Sequence, residues 1–161
     1  MAHVEPAAGL RFPLPVTGVN VQVWDFDPTL PPEKFRHEIH LVADENVEVL
    51  IHVWDNPGKL DVQHWFDENM SGFVDADTSI GERAATKGHV AAIILEQPAS
   101  TDAVSQSVAV FATTGHVYSV TCIDPVNDAA AKKLFDRVVG ELEPEIDVAA
   151  VATQAPHEVK K

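Results

Sequence analysis

The segment FRHEIHLVADENVEVLIHVWD, residues 35–55, carries three histidines and five acidic side chains in 21 positions. Imidazole and carboxylate together do two kinds of chemistry. They ligate divalent ions, or a carboxylate orients a histidine that takes and returns a proton. Spacing decides which of these the segment supports. On a strand, His37 and His40 point to opposite faces and cannot share an ion. The set that does share a face is even-numbered: Glu38, His40, Glu48 and His52, with His64 as a further donor from a neighbouring helix. Zinc needs three or four such ligands converging at about 2.0–2.3 Å. The chain has no HExxH, no CxxC and no EF-hand loop. Binding of a small molecule or a divalent metal through Glu38, His40, Glu48 and His52 is therefore the alternative reading. The leading one is the polar face of a β-hairpin.

Other chemistry is thinner still. Glycines are scattered, with no phosphate loop and no nucleophile elbow. The only cysteine, Cys122, lies in an apolar run and reads as a small buried hydrophobe. Asp25–Asp27 and Asp75–Asp77 are acidic pairs in loops, short of the six to eight oxygens that calcium takes. No enzymatic activity and no cofactor are expected.

The elements that position these residues follow from periodicity. With Asp44–Asn46 as the turn, Phe35, His37, Ile39, Leu41, Val47, Val49, Ile51 and Val53 form one apolar face of a hairpin. Arg36, Glu38, His40, Val42, Glu48, Leu50, His52 and Trp54 form the other. The simplest register sets Ala43 against Val47, Glu38 against His52 and His40 against Leu50. Upstream, Val19, Val21 and Val23 alternate as a half-buried strand that ends in the proline-rich loop DFDPTLPPE. Downstream, Asp61 suits a helix N-cap, Leu60 and Trp65 a hydrophobic staple, and Gly72 a stop. Val62, Trp65, Phe66, Met70 and Phe73 make that helix's stripe. Strands follow over TSIGERAAT, GHVAAIILEQ, VSQSVAVFA and HVYSVTCI, the last two as a hairpin with Phe111 beside Tyr118. A second helix starts at Asp124–Pro125, presents Leu134, Phe135, Val138, Val139 and Leu142, and ends at Pro144.

Sequential strands joined by short turns run antiparallel. The expected class is α+β, an antiparallel sheet of about six strands flanked by two main helices. Residues 1–9 read as a flexible leader, 10–144 as a single domain and 145–161 as a mobile tail.

Composition limits the partners. The 161 residues hold 25 acidic against 11 Lys and Arg side chains, a formal charge of −14. Such a surface opposes nucleic-acid backbones and anionic lipid. No stretch reaches the ~18–20 apolar residues that span a bilayer, and there is no signal-peptide pattern, so the chain reads as cytoplasmic.

The order of elements resembles the Mog1/PsbP-like fold, in a small bacterial-type member. The matching pieces are Arg11-Phe12-Pro13, Leu60-Asp61-Val62-Gln63-His64-Trp65, His116-Val117-Tyr118-Ser119-Val120-Thr121 and Leu134-Phe135-Asp136-Arg137-Val138-Val139, across residues 10–143. The resemblance implies a central antiparallel sheet with helices on its faces, no enzymatic activity and a protein partner. Members of that superfamily regulate a small nuclear GTPase, assist photosystem II, occur as bacterial lipoproteins or chaperone secreted effectors. A non-catalytic acidic partner-binding domain, an adaptor or chaperone, is the expected function. Trp24, Trp54 and Arg36, with aromatics set in a polar rim, are its expected contacts; the alternative is that a helix packs over the face that carries the two tryptophans.

Overall fold

Val23, Ile39, Leu41, Val49, Ile51 and Val53 are fully buried, as the alternation of the strands through residues 19–25 and 37–55 requires. A computed structural model describes residues 2–5, 10–13, 19–25, 35–43, 46–113 and 115–144. The tail after Pro144, the proline-rich loop with Asp27, and the turn residues Asp44 and Glu45 lie outside the described residues.

The main sheet has seven strands, one more than expected. They are β3 (Val19–Asp25), β4 (His37–Ala43), β5 (Asn46–Asp55), β6 (Ser79–Ala85), β7 (Val90–Gln97), β8 (Gln106–Ala112) and β9 (His116–Ile123). Their order is β3-β4-β5-β9-β8-β7-β6, with every neighbouring pair antiparallel. Two meanders thus meet where β5 pairs with β9. A small second sheet joins β1 (Ala2–Glu5), β2 (Leu10–Pro13) and β10 (Glu143–Pro144). Ala2–Glu5, in the stretch expected to be a loose leader, is thus in strand geometry against Leu10–Pro13.

Helix α1 (Val62–Asn69) sits between β5 and β6, and α2 (Ala129–Glu141) follows β9. They lie on opposite faces. Leu134, Phe135, Val138 and Val139 of α2 pack with Ile51, Phe111, Tyr118 and Val120 in the principal core. Each such side chain contributes about 1.5–3 kcal/mol by leaving water. Phe111 and Tyr118 stack at 5.3 Å in the expected register. Trp65 and Phe66 of α1 pack instead on Val110, Val117, Ile93 and Leu95, on the other side of the sheet.

Three expectations shift. Helix α2 is capped by Asp128, whose side chain accepts from the Ala131 N–H at 3.0 Å, and not by Asp124. Asp124 takes a left-handed φ of 56° and turns the chain out of β9; its carbonyl accepts from the N–H groups of Asn127 and Asp128. Helix α1 ends at Asn69, before Gly72, which falls in a 3₁₀ turn. In the hairpin, Glu38–His52 and His40–Leu50 pair as expected, but Ala43 faces Asn46, not Val47. The register slips between Leu41 and Val42, so Glu48 is the extra residue of a β-bulge, and Asn46, expected in the turn, is the first residue of β5.

Candidate functional site: an aromatic and imidazole row leading to a cleft

The even-numbered face of β4 and β5 continues across four strands. In register, Trp24 stands opposite Glu38, Glu38 opposite His52, and His52 opposite Ser119. Helix α1 packs over β7 and β8 and so roofs only the other half of this face. Trp24, Glu38, His40, His52 and Trp54 are half-buried in consequence.

Glu38 holds the row together. Its Oε1 lies 2.8 Å from His52 Nε2, within hydrogen-bond geometry. Its Oε2 lies 3.3 Å from His40 Nε2, a charge contact whose angle makes no hydrogen bond. Burial pushes the Glu38 carboxyl up. The His52 hydrogen bond and the charges of His52 and His40 outweigh it, leaving the carboxyl below its usual value of 4.5. Rings extend the row at both ends. His40 meets Trp24 at 4.3 Å, His52 meets Phe35 at 4.3 Å and Trp54 at 5.8 Å, and Trp54 meets Trp65 at 5.1 Å.

Two neighbours of the hairpin differ from the sequence expectation. Alternation puts Phe35 on the apolar core face, but β4 begins only at His37, and Phe35 instead lies over His52 and edge-on to Trp54 at 5.9 Å. Arg36, expected as a partner contact, is 7 % exposed and places its Nε 2.7 Å from Asp55 Oδ2. Its backbone N–H donates to the Val53 carbonyl, so Arg36 pins the start of β4 to the end of β5 and thereby sets Phe35. It braces the row and is not a free surface group.

Helix α1 forms the facing wall. The turn before it is fixed by Asn56, 3 % exposed, whose side chain donates to the carbonyls of Leu60 and Thr113 and accepts from the Leu60 N–H. Asp61 then caps the helix by accepting from the His64 N–H at 2.9 Å, and Leu60 and Trp65 share one apolar cluster as a staple does. Between α1 and the row lies an open cleft of about 570 Å³. Trp65, Asn69 and Met70 form one wall, and Phe35, His52 and Trp54 the other. Val108 and Leu95 give an apolar floor, beside which Gln97, Gln106, Ser119 and Thr121 supply polar groups. The sequence reading missed this floor. Its signal was the alternation in HVYSVTCI, where Tyr118, Val120 and Cys122 face α2 and Ser119 and Thr121 face the cleft.

The described members of the expected metal set do not gather around a common point as ligands. His40 and His52 both direct Nε2 at Glu38, so the three groups are spent on one another. His64 is exposed and bonded to Asp61, away from them. The side chain of Glu48 lies outside the described residues. Among the described residues no three His, Cys, Asp or Glu side chains are grouped as a metal ion requires.

The strand order, the two faces and their helices define an α+β protein of PsbP-like fold. A solved structure carries that comparison: the solution structure of cyanobacterial PsbP (CyanoP) from Synechocystis sp. PCC 6803 superimposes with a TM-score of 0.52, over 89 % of this chain and 91 % of that one. Identity is 13 %, so the likeness is one of fold. No family model matches the chain, and no curated protein matches it. Among the described residues no helix is long and apolar enough to cross a membrane.

Proposed function

We propose that this protein is a non-catalytic, acidic partner-binding domain that acts as an adaptor or chaperone. The observation that carries the reading is the half-roofed face of the sheet, where Trp24 and Trp54 remain half-buried beside a carboxylate–imidazole row. Aromatic rings with apolar bodies and polar rims are the residues that anchor protein interfaces. The −14 charge favours a partner with a basic contact surface.

The Glu38–His52–Ser119 alignment supports structure over catalysis. These side chains stand side by side on neighbouring strands of one sheet. A serine nucleophile needs a base within hydrogen-bond reach, and among the described residues no hydrogen bond joins His52 to Ser119; the imidazole bonds Glu38 instead.

Trp24 is the cleaner probe of the surface, because Trp54 also packs on Trp65. The test is affinity capture of the tagged protein from its native lysate, with Trp24→Ala in parallel and quantitative mass spectrometry. A specifically enriched protein that Trp24→Ala no longer retains supports the reading. Equal recovery by both, or no enriched protein, removes it.

A further inference from the structure

We infer that the cleft between α1 and the Phe35–His52–Trp54 wall is a binding site for a small organic molecule. Its ligand has a flat apolar body, an N–H or O–H donor, and no negative charge. At about 570 Å³ the cleft lies inside the range of roughly 300–1,000 Å³ that small-molecule sites occupy. Phe35, Trp54 and Trp65 line it with three rings, and Trp54 meets the other two at 5.9 and 5.1 Å. A flat ring inserted there gains offset or edge-on contacts with them.

The polarity follows from Glu38. An ionised carboxylate only accepts hydrogen bonds, so the 2.8 Å contact places the proton of His52 on Nε2. In the neutral imidazole Nδ1 then carries only a lone pair, and because His52 lines the cleft it is the ring nitrogen left to accept from a ligand there. Glu38 is thus a positioning residue acting through His52, outside the cleft itself. The charge preference has a separate basis. None of the described lining residues is Lys, Arg, Asp or Glu, and the chain as a whole is at −14. A carboxylate ligand would lose its hydration with no cation to replace it.

The ligand site and the partner surface share Trp54, but Trp24 does not line the cleft, so Trp24→Ala tests the partner surface alone. The test uses the ¹⁵N-labelled 161-residue chain at pH 8, where imidazoles are ordinarily neutral. The indole Nε1–H signals of Trp54 and Trp65 are followed during titration with four probes: indole, 1-methylindole, tryptamine and indole-3-acetate. Indole is expected to shift both signals and to bind about three- to tenfold more tightly than 1-methylindole, the range one net hydrogen bond supplies. An undirected apolar cleft would prefer the methylated probe, which has more surface to bury. Tryptamine is expected to bind more tightly than indole-3-acetate. In Glu38→Gln, which frees the tautomer, indole loses its advantage over 1-methylindole while the rest of the spectrum stays that of a folded chain. Should Glu38→Gln fail to fold, the comparison of the four probes on the unsubstituted chain still decides. No shift at either indole, equal affinity for indole and 1-methylindole on the unsubstituted chain, or indole-3-acetate binding as tightly as tryptamine would overturn the inference.

Discussion

Glu38 on β4 and His52 on β5 face each other in register and close to 2.8 Å, while the second oxygen of the same carboxylate sits 3.3 Å from His40. One carboxylate therefore organises two imidazoles on adjacent strands. The pair holds His52 under Phe35 and against Trp54, so the shape of the cleft wall depends on a residue behind it.

This arrangement has an acid limb. The Glu38 carboxyl is held below 4.5 in the folded chain: burial raises it, and the His52 hydrogen bond with the two imidazole charges lowers it further than that. A depressed carboxylate stabilises fully above its unfolded value and loses that contribution as pH falls through its folded value. Urea denaturation between pH 3 and 6 should show stability declining below about pH 4.5, and less steeply in Glu38→Gln. An unchanged slope in the variant would separate Glu38 from the acid response.

The tryptophans should divide by burial. Trp65 is 5 % exposed in the cluster beneath α1, and Trp65→Ala should cost about 3–5 kcal/mol in urea denaturation, in line with large core truncations. Trp24→Ala, at a half-buried position on the first strand of the sheet, should cost under about 2 kcal/mol. Comparable losses would mean that Trp24 is a core residue, and would remove it as a surface probe.

Arg36 should behave as a brace. Arg36→Ala removes the charge-assisted contact to Asp55 and should lower stability by about 1–3 kcal/mol. The ring-current shifts that Phe35 imposes on His52 should change with it, read from the imidazole proton signals. A variant as stable as the parent would place the anchor of Phe35 elsewhere.

The two aspartates before α2 make opposite predictions. Asp128→Ala should cost about 1 kcal/mol through loss of the cap to Ala131. Asp124→Asn should be close to neutral when both variants are compared by thermal melts, because asparagine also tolerates the left-handed φ of 56°. The reverse ranking would move the cap to Asp124.

Alternating apolar residues made most of this fold readable from sequence. Ile39, Leu41, Val49, Ile51 and Val53 specify one buried face, and a short turn at Asp44–Asn46 then brings Glu38 opposite His52, the pairing observed. The Asp61 cap and the Phe111–Tyr118 pairing were legible because each depends on neighbours close in the chain. What escaped depends on distant geometry or on a single slipped residue. Periodicity puts Phe35 on the core face, yet the strand begins two residues later and the ring crosses to His52. The bulge at Glu48 alters the register near the turn without altering which residues are apolar. Asp–Pro is a sound helix start in general, but here it forms the turn that precedes the helix. The cleft was invisible because its walls come from β5 and α1 and its floor from β7, β8 and β9.

On the proposed reading the Trp24 side of the sheet binds a protein partner. Its most direct test is titration calorimetry of the captured partner against the parent chain and Trp24→Ala, with thermal melts of both. The account predicts at least a tenfold loss of affinity, the scale of an aromatic anchor, in a variant that still melts cooperatively above the titration temperature. Unchanged affinity in a folded Trp24→Ala chain would contradict it.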